Sequence, residues 1–247
     1  MITEIRDRLI QKGLEIFESP PELVDFTGHE AADLLLNDLD NHPHAYVLAC
    51  IMDRQIKAEK AWMIPYLIKE KTGSFNFDFL SKLSQEETYK LFTKPSSLHR
   101  FNKEMSINFY KAVELINTKY EGNASKIWND TPSSAEIVKR FLEFRGVGQK
   151  IATMAANILV RHFKIKLKDY ICIDVSVDVH VIRVFERLGF VPQNASVDHI
   201  VLTAKSLYPE FPGLMDFPAW EIGRNWCKPN KPICNKCYMN DVCMKIV

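Results

Sequence analysis

The sequence predicts an essentially all-α protein, and three observations carry that expectation. Apolar residues recur at helical spacing along most of the 247 residues. Only 165–177, with Ile171, Ile173, Val175 and Val177, reads as either a strand or an extended buried segment. Ser133-Ser134-Ala135-Glu136 is a capping-box pattern, and two apolar helical stripes then flank Gly146-Val147-Gly148. That arrangement is a helix–hairpin–helix over about 134–163.

Taken in order, residues 3–18 put Ile5, Leu9, Ile10, Leu14, Ile16 and Phe17 on a helical stripe that Pro20-Pro21 stops. A second helix spans 28–39, and His42-Pro43-His44 is expected as a loop. The pattern resumes from Ala45 to Ile56 and returns over 61–68, with Pro65 in a first turn. Helices over 78–92 and 103–120 are joined by a polar loop, Lys94 to Phe101, in which Leu98 and Phe101 look exposed. Ile137, Val138, Phe141 and Leu142 form the buried stripe before the glycines; Ile151, Ala152, Ala155, Ile158 and Leu159 form the one after them. Asp178 opens another helix that stops at Gly189, and a last helix covers 196–207.

A chain 47% hydrophobic and 26% charged is globular, and no apolar run approaches the ~20 residues of a membrane helix. Met1 to Arg8 carry charges where a signal peptide needs an apolar core, so no export is expected, which means cytoplasm or nucleoid in a prokaryote. The net charge of +1 hides a polarity. Residues 139–168 hold eight Lys/Arg against Glu143, and residues 1–42 hold ten Asp/Glu against three Lys/Arg. Such a chain can hold a polyanion on one face, although two solvated helix faces of opposite sign would give the same count.

The stretch Phe144-Arg145-Gly146-Val147-Gly148-Gln149-Lys150 is the natural seat for that polyanion. Glycines let backbone N–H groups converge on an anion, and the following helix turns its positive end toward it. A phosphate held there would bring its attached chemistry beside the Lys150 amine.

Four of the six cysteines fall in the last 21 residues, as Cys227-x6-Cys234-x2-Cys237-x5-Cys243. Such clustering argues for a metal centre in a reducing compartment rather than a disulfide framework. Zinc is the common occupant of four-cysteine sites but usually shows two separated C-x2-C knuckles. The short loop, with one such pair, suits a [4Fe–4S] cluster better while leaving zinc open. Cys50 and Cys172 sit singly in apolar surroundings, as inert thiols do.

Together, Gly146-Val147-Gly148-Gln149-Lys150, Val177-Asp178-Val179-His180-Val181-Ile182-Arg183-Val184 and the cysteine tail with Lys231-Pro232 resemble the endonuclease III family over roughly 35–245. The resemblance implies the helix–hairpin–helix DNA glycosylase fold: two helical lobes, the DNA site between them, and a C-terminal iron–sulfur loop over 227–243. The lobes are expected as 36–164, and 1–35 joined to 165–247. It implies a monomer acting on double-stranded DNA that carries a damaged base or abasic site. A flipped nucleotide would meet Lys150 as nucleophile, with displacement of the base, a Schiff base and β-elimination. Asp178 would be the catalytic aspartate and a helix N-cap, preferred to Asp174 by its Val-Asp-x-His context. Arg145, Gly146, Val147, Gly148 and Gln149 would hold the strand. Gln55 would fill the space left by the flipped nucleotide, and Leu98 lies where a second wedge is expected. Oxidised pyrimidine is the expected lesion. Another lesion class with little lyase activity, or a non-enzymatic iron–sulfur DNA-binding protein, are the alternatives. Two departures stand out: Phe144-Arg145 replaces the usual Leu-Pro, and the chain between Lys150 and Asp178 is about ten residues longer, including Lys164 to Lys168.

Overall fold

A computed structural model describes residues 2–246. The described residues contain no strand. The helices are α1 (Ile2–Glu18), α2 (Glu30–Asn37), α3 (Pro43–Met52), α4 (Ala58–Trp62), α5 (Ile64–Thr72), α6 (Phe77–Leu80) and α7 (Gln85–Thr93). They continue with α8 (Asn102–Lys119), α9 (Ser134–Leu142), α10 (Gln149–Arg161), α11 (Val179–Leu188), α12 (Val197–Leu207) and α13 (Asp216–Asn225). Short 3-10 turns cover Ala124–Ile127, Pro212–Met215 and Cys234–Lys236.

Two expectations need correction, and one open alternative is decided. His42-Pro43-His44 is not a loop: Pro43 opens α3, where its missing N–H costs nothing, and His44 lies inside the helix. Of the two forms left open for residues 165–177, the extended segment is the one formed, with Leu167, Ile173 and Val175 buried and the backbone bonds going elsewhere. Lys168 N–H donates to the Pro132 carbonyl (3.1 Å), and the Ile173 carbonyl accepts from Gly213 N–H (2.7 Å). Helix α13 was not expected, since the last helix is placed over 196–207, before the Pro/Phe-rich stretch 209–218. Pro218 sits in the first turn, which tolerates it.

The chain forms two compact units. One contains the residues up to Pro21, Thr131–Val138 and the chain from Ala152 on; the other contains Glu22–Asp130 and Lys139–Ile151. The boundaries fall inside α9 and α10, and residues 22–35 group with the helices that follow them.

In the unit built on Glu22–Asp130, α3 is the hub. Every residue from Pro43 to Met52 is buried, as an almost wholly apolar helix must be. Helices α2, α4, α5 and α8 pack around it, and α7 lies along α8. His44 Nε2 stands 2.7 Å from the Phe75 carbonyl oxygen. Burial, outweighing that bond, lowers its pKa to about 4.

That depressed value has a sign in stability. On acidification the unfolded chain takes up protons near pH 6.5, while folded His44 stays neutral down to about 4. Stability is therefore complete above pH 6.5 and falls as the pH drops toward 4, by up to about 3 kcal/mol from this group. Thermal unfolding from pH 7 to 4.5 is expected to show the decline. His44→Gln, which keeps an N–H donor but does not titrate, is expected to make it shallower, the remainder coming from groups such as half-buried His162, lowered to about 3.

In the other unit, α11 packs along α13. Val181, Val184, Phe185 and Leu188 form its buried stripe. The crossing is close because Gly223 has no side chain: a Cβ there would come within 2.7 Å of His180 Cβ. Helix α1 packs on α13 and on the 212–215 turn, burying Ile5 and Leu9 completely.

Candidate active site and cysteine centre

Helix α9 begins as the sequence predicts, with Ser133 Oγ accepting from Glu136 N–H (3.2 Å). It ends in a tight turn in which Val147 N–H donates to the Phe144 carbonyl (3.0 Å). Phe144, standing where a leucine is usual, is buried and stacks on Tyr120. Gly146 has φ +86°, and a Cβ there would fall 2.4 Å from Asn108 Nδ2. Gly148 has ordinary φ and open space around it, so the free fold does not require it. Arg145, Gly146, Gly148 and Gln149 are exposed, and Val147 is half-buried. Gly146→Ala is expected to cost about 2 kcal/mol in urea unfolding, from the positive φ and the clash. Gly148→Ala is expected to stay within about 1 kcal/mol of wild type.

Lys150 is the second residue of α10, half-buried at the mouth of this turn. Its Nζ lies 3.4 Å from Asp53 Oδ2, a carboxylate whose side chain is only 11% exposed. Sequence reasoning missed Asp53 because the two are 97 positions apart. The available signal was Met52-Asp53-Arg54, an acid at the end of an apolar helix.

Asp178, in the other unit, is the N-cap of α11. Its Oδ1 accepts from the N–H groups of His180 (2.8 Å) and Val181 (2.9 Å). Asp174 is buried against Lys205 Nζ at 3.2 Å, and burial pushes its carboxyl above the usual range. Lower on α11, Arg183 Nε donates to the Cys227 carbonyl (2.6 Å) and Nη2 to that of Gly223 (2.8 Å). Arg187 donates to the carbonyls of Lys228 (2.7 Å) and Pro229 (2.8 Å) and to Cys227 Sγ (3.4 Å). The helix headed by Asp178 is thus the strut that holds the cysteine loop.

Cys227, Cys234, Cys237 and Cys243 line one small cavity of about 30 Å³, walled by Val184, Leu188, Ile222 and Trp226. All four are half-buried free thiols. Burial first, and the neighbouring thiols after it, push Cys237 and Cys243 up. Among the described residues no three His, Cys, Asp or Glu side chains meet at the distances of a single metal ion.

Gln55 is exposed in the turn after α3 with φ +55°, a left-handed conformation unusual for glutamine, and its carbonyl accepts from Arg100 Nη1 (3.4 Å). The exposure expected of Leu98 and Phe101 needs correction. Leu98 is 7% exposed, because the loop folds back and its N–H bonds the Phe92 carbonyl at the end of α7. Phe101 is half-covered by the Arg100 guanidinium, 4.7 Å from its ring centre. Arg100, like Lys94 to Ser97 before it, is exposed.

Some of the positive charge counted over 139–168 serves the fold. Arg140 forks onto Asp130 (2.7 and 2.8 Å). Lys164 Nζ caps α1 through the carbonyls of Ile16 (3.1 Å) and Phe17 (2.7 Å), supplying the cation its last turn lacks. The longer segment is pinned again where Ser134 Oγ meets Asp169 and accepts from Cys172 N–H. Lys139, Arg145, Lys166 and Lys168 remain exposed.

No family model matches the sequence. Among curated proteins, endonuclease III of Thermotoga maritima is 28% identical over 164 residues, 66% of this chain and 66% of its own length. Endonuclease III of Sulfolobus acidocaldarius is 30% identical over 146 residues, 56% of this chain and 60% of its own. This chain is a relative of the endonuclease III family. Each match spans just under two thirds of the relative or less. The adenine DNA glycosylase of Rattus norvegicus is more distant, at 23% identity over 193 residues, 76% of this chain and 35% of that protein. The fold likeness covers nearly everything. A trapped endonuclease III–DNA covalent intermediate aligns over 98% of this chain and 96% of its own at TM-score 0.61 and 20% identity. A thermostable thymine-DNA glycosylase aligns over 97% and 95% at TM-score 0.64 and 17% identity. The fold is that of the helix–hairpin–helix DNA glycosylases.

Proposed function

We propose that this relative of endonuclease III is a base-excision-repair DNA glycosylase with lyase activity. It removes a damaged base, an oxidised pyrimidine by preference, and cuts the strand through a Schiff base on Lys150. The observation that carries the reading is Lys150 itself: an amine at the start of α10, directly after an exposed glycine turn, with a carboxylate 3.4 Å away. Backbone N–H groups of the turn and the α10 N-terminus suit a DNA phosphate. The neutral amine attacks C1′ of a flipped nucleotide, the base leaves, and the imine drives β-elimination. Asp178 stabilises positive charge developing on the sugar. Gln55, already in a strained exposed turn, fills the vacated stack. Leu98 would have to leave its packing to act as a wedge, whereas Arg100 is exposed without rearrangement.

Cys227, Cys234, Cys237 and Cys243 would hold a [4Fe–4S] cluster. Four thiols gathered on one small, apolar-walled cavity supply the donor set such a group takes, and an arginine N–H toward Cys227 Sγ suits a thiolate ligand. The cluster is structural in this reading, ordering a loop that carries Lys228, Lys231 and Lys236. Anaerobically purified protein is expected to be brown, with about four irons per chain. Cys237→Ser is expected to lose the visible absorbance and lower the melting temperature. Colourless wild-type protein holding zinc would overturn the cluster.

A panel of duplexes, each with one lesion, incubated with borohydride tests the function. Covalent adduct and strand cleavage on oxidised pyrimidine and abasic duplexes are expected. Relatives in this fold act on other bases by name, so base release elsewhere in the panel without adduct would shift the reading to a monofunctional glycosylase. Equal binding to every duplex with no chemistry would leave a DNA-binding protein.

A further inference from the structure

Asp53 occupies a position that α3 alone does not favour. It follows the last residue of a ten-residue helix, where the negative end of the dipole makes a carboxylate unwelcome. Its backbone N–H is used, donating to the Cys50 carbonyl (3.2 Å). The neighbouring cation, Arg54, points elsewhere and pairs with Glu104 at 2.9 Å. Asp53 faces Lys150 instead, at 3.4 Å, and it is the more buried of the two: 11% exposed against 41%. A residue that breaks a local rule while touching a nucleophile is a candidate for function rather than packing.

Resting on the lyase reading of Lys150, we propose that Asp53 is the acceptor that takes the proton of the Lys150 ammonium before attack. When DNA covers the site and displaces solvent, the uncharged pair of amine and carboxylic acid gains, because burying two charges costs more than burying a neutral pair. One N–H bond of Lys150 breaks as an O–H bond forms on Asp53 Oδ2. The freed lone pair makes the Nζ–C1′ bond, the C1′–base bond breaks with its electrons on the base, and the base leaves with the proton that Asp53 held. Charge and atoms balance without another reactant, and Asp53 ends as the carboxylate it began as.

The test is the pH profile of single-turnover borohydride trapping on an abasic duplex, for wild type, Asp53→Asn, Asp53→Glu and Lys150→Gln. Asp53→Asn is expected to trap roughly 100-fold more slowly at pH 7 and to recover steeply toward pH 9.5, where hydroxide replaces the lost acceptor. Asp53→Glu keeps an acid and is expected within about tenfold of wild type at pH 7. A carboxylate that merely anchors the ammonium predicts the reverse, since removing it frees the amine and trapping at pH 7 speeds up. Asp53→Asn that traps as fast as wild type or faster, with a parallel pH profile, overturns the proposal. Helical circular dichroism and binding to a duplex with a non-cleavable abasic analogue check folding. If Asp53→Asn does not fold, Asp53→Glu decides, and a fall beyond about tenfold with no recovery at high pH overturns it. Wild type that traps nothing, or Lys150→Gln that traps normally, fails the lyase reading itself, a result the Asp53 variants alone cannot produce.

Discussion

Lys150→Gln is expected to abolish the borohydride-trapped adduct, leaving less than about a thousandth of the wild-type rate. Glutamine fills nearly the same space but offers no nucleophilic amine. The loss should come with little change in stability. The Lys150 side chain is 41% exposed, so its pair with Asp53 is screened by solvent and contributes about 1 kcal/mol or less. In a chain of this size that is a shift of about 2–4 °C in the melting temperature. Binding to a duplex with a non-cleavable abasic analogue should hold within about tenfold, since in the proposed function the turn would grip phosphate with backbone N–H groups. Lys150→Arg sharpens the result: it keeps the positive charge but cannot form the Schiff base, and it is expected to be as inactive as glutamine. An arginine variant with substantial adduct would mean that charge, not nucleophilicity, is what position 150 supplies. Gly146→Ala should do the opposite of both, losing stability through Asn108 while leaving the amine in place.

The parts of this site legible in the sequence are those whose chemistry is local. Ser133 with Glu136, the positive φ of Gly146, the Asp178 cap and the Gly189 stop each depend on neighbours within four residues, and each is realised. The gathering of the four cysteines on one cavity was legible because their spacing within a short loop keeps them close. Asp53 was not, because its meaning comes from an amine on a helix 97 residues away. The same holds for Lys164, which counted as part of a basic face and proves to cap α1 across 147 and 148 residues. Leu98 failed for a related reason: loop composition reports polarity, not the direction in which a loop folds. Helix α13 was hidden by Pro218, a residue whose effect depends on which turn it occupies.

In the proposed function Asp178 would carry two duties, and the pair Asp178→Asn and Asp178→Ala separates them. As N-cap, its Oδ1 accepts two backbone N–H groups of α11, a helix that also holds the cysteine loop through Arg183 and Arg187. Asparagine caps nearly as well as aspartate, so Asp178→Asn should leave urea unfolding within about 0.5 kcal/mol of wild type. It removes the negative charge, however, and single-turnover base release is expected to fall roughly 100- to 1,000-fold. Alanine should lose the same activity and a further ~1 kcal/mol of stability with the cap. The two variants would then share a rate and differ in unfolding midpoint. A structural role alone predicts the converse, with asparagine near wild type in both assays. Asp174→Asn is the control: it gives up the Lys205 pair in a buried position. It is expected to lower stability, with activity falling no further than the folded fraction does. Should Asp174→Asn lose activity while folded and Asp178→Asn keep it, the catalytic aspartate would be the buried one.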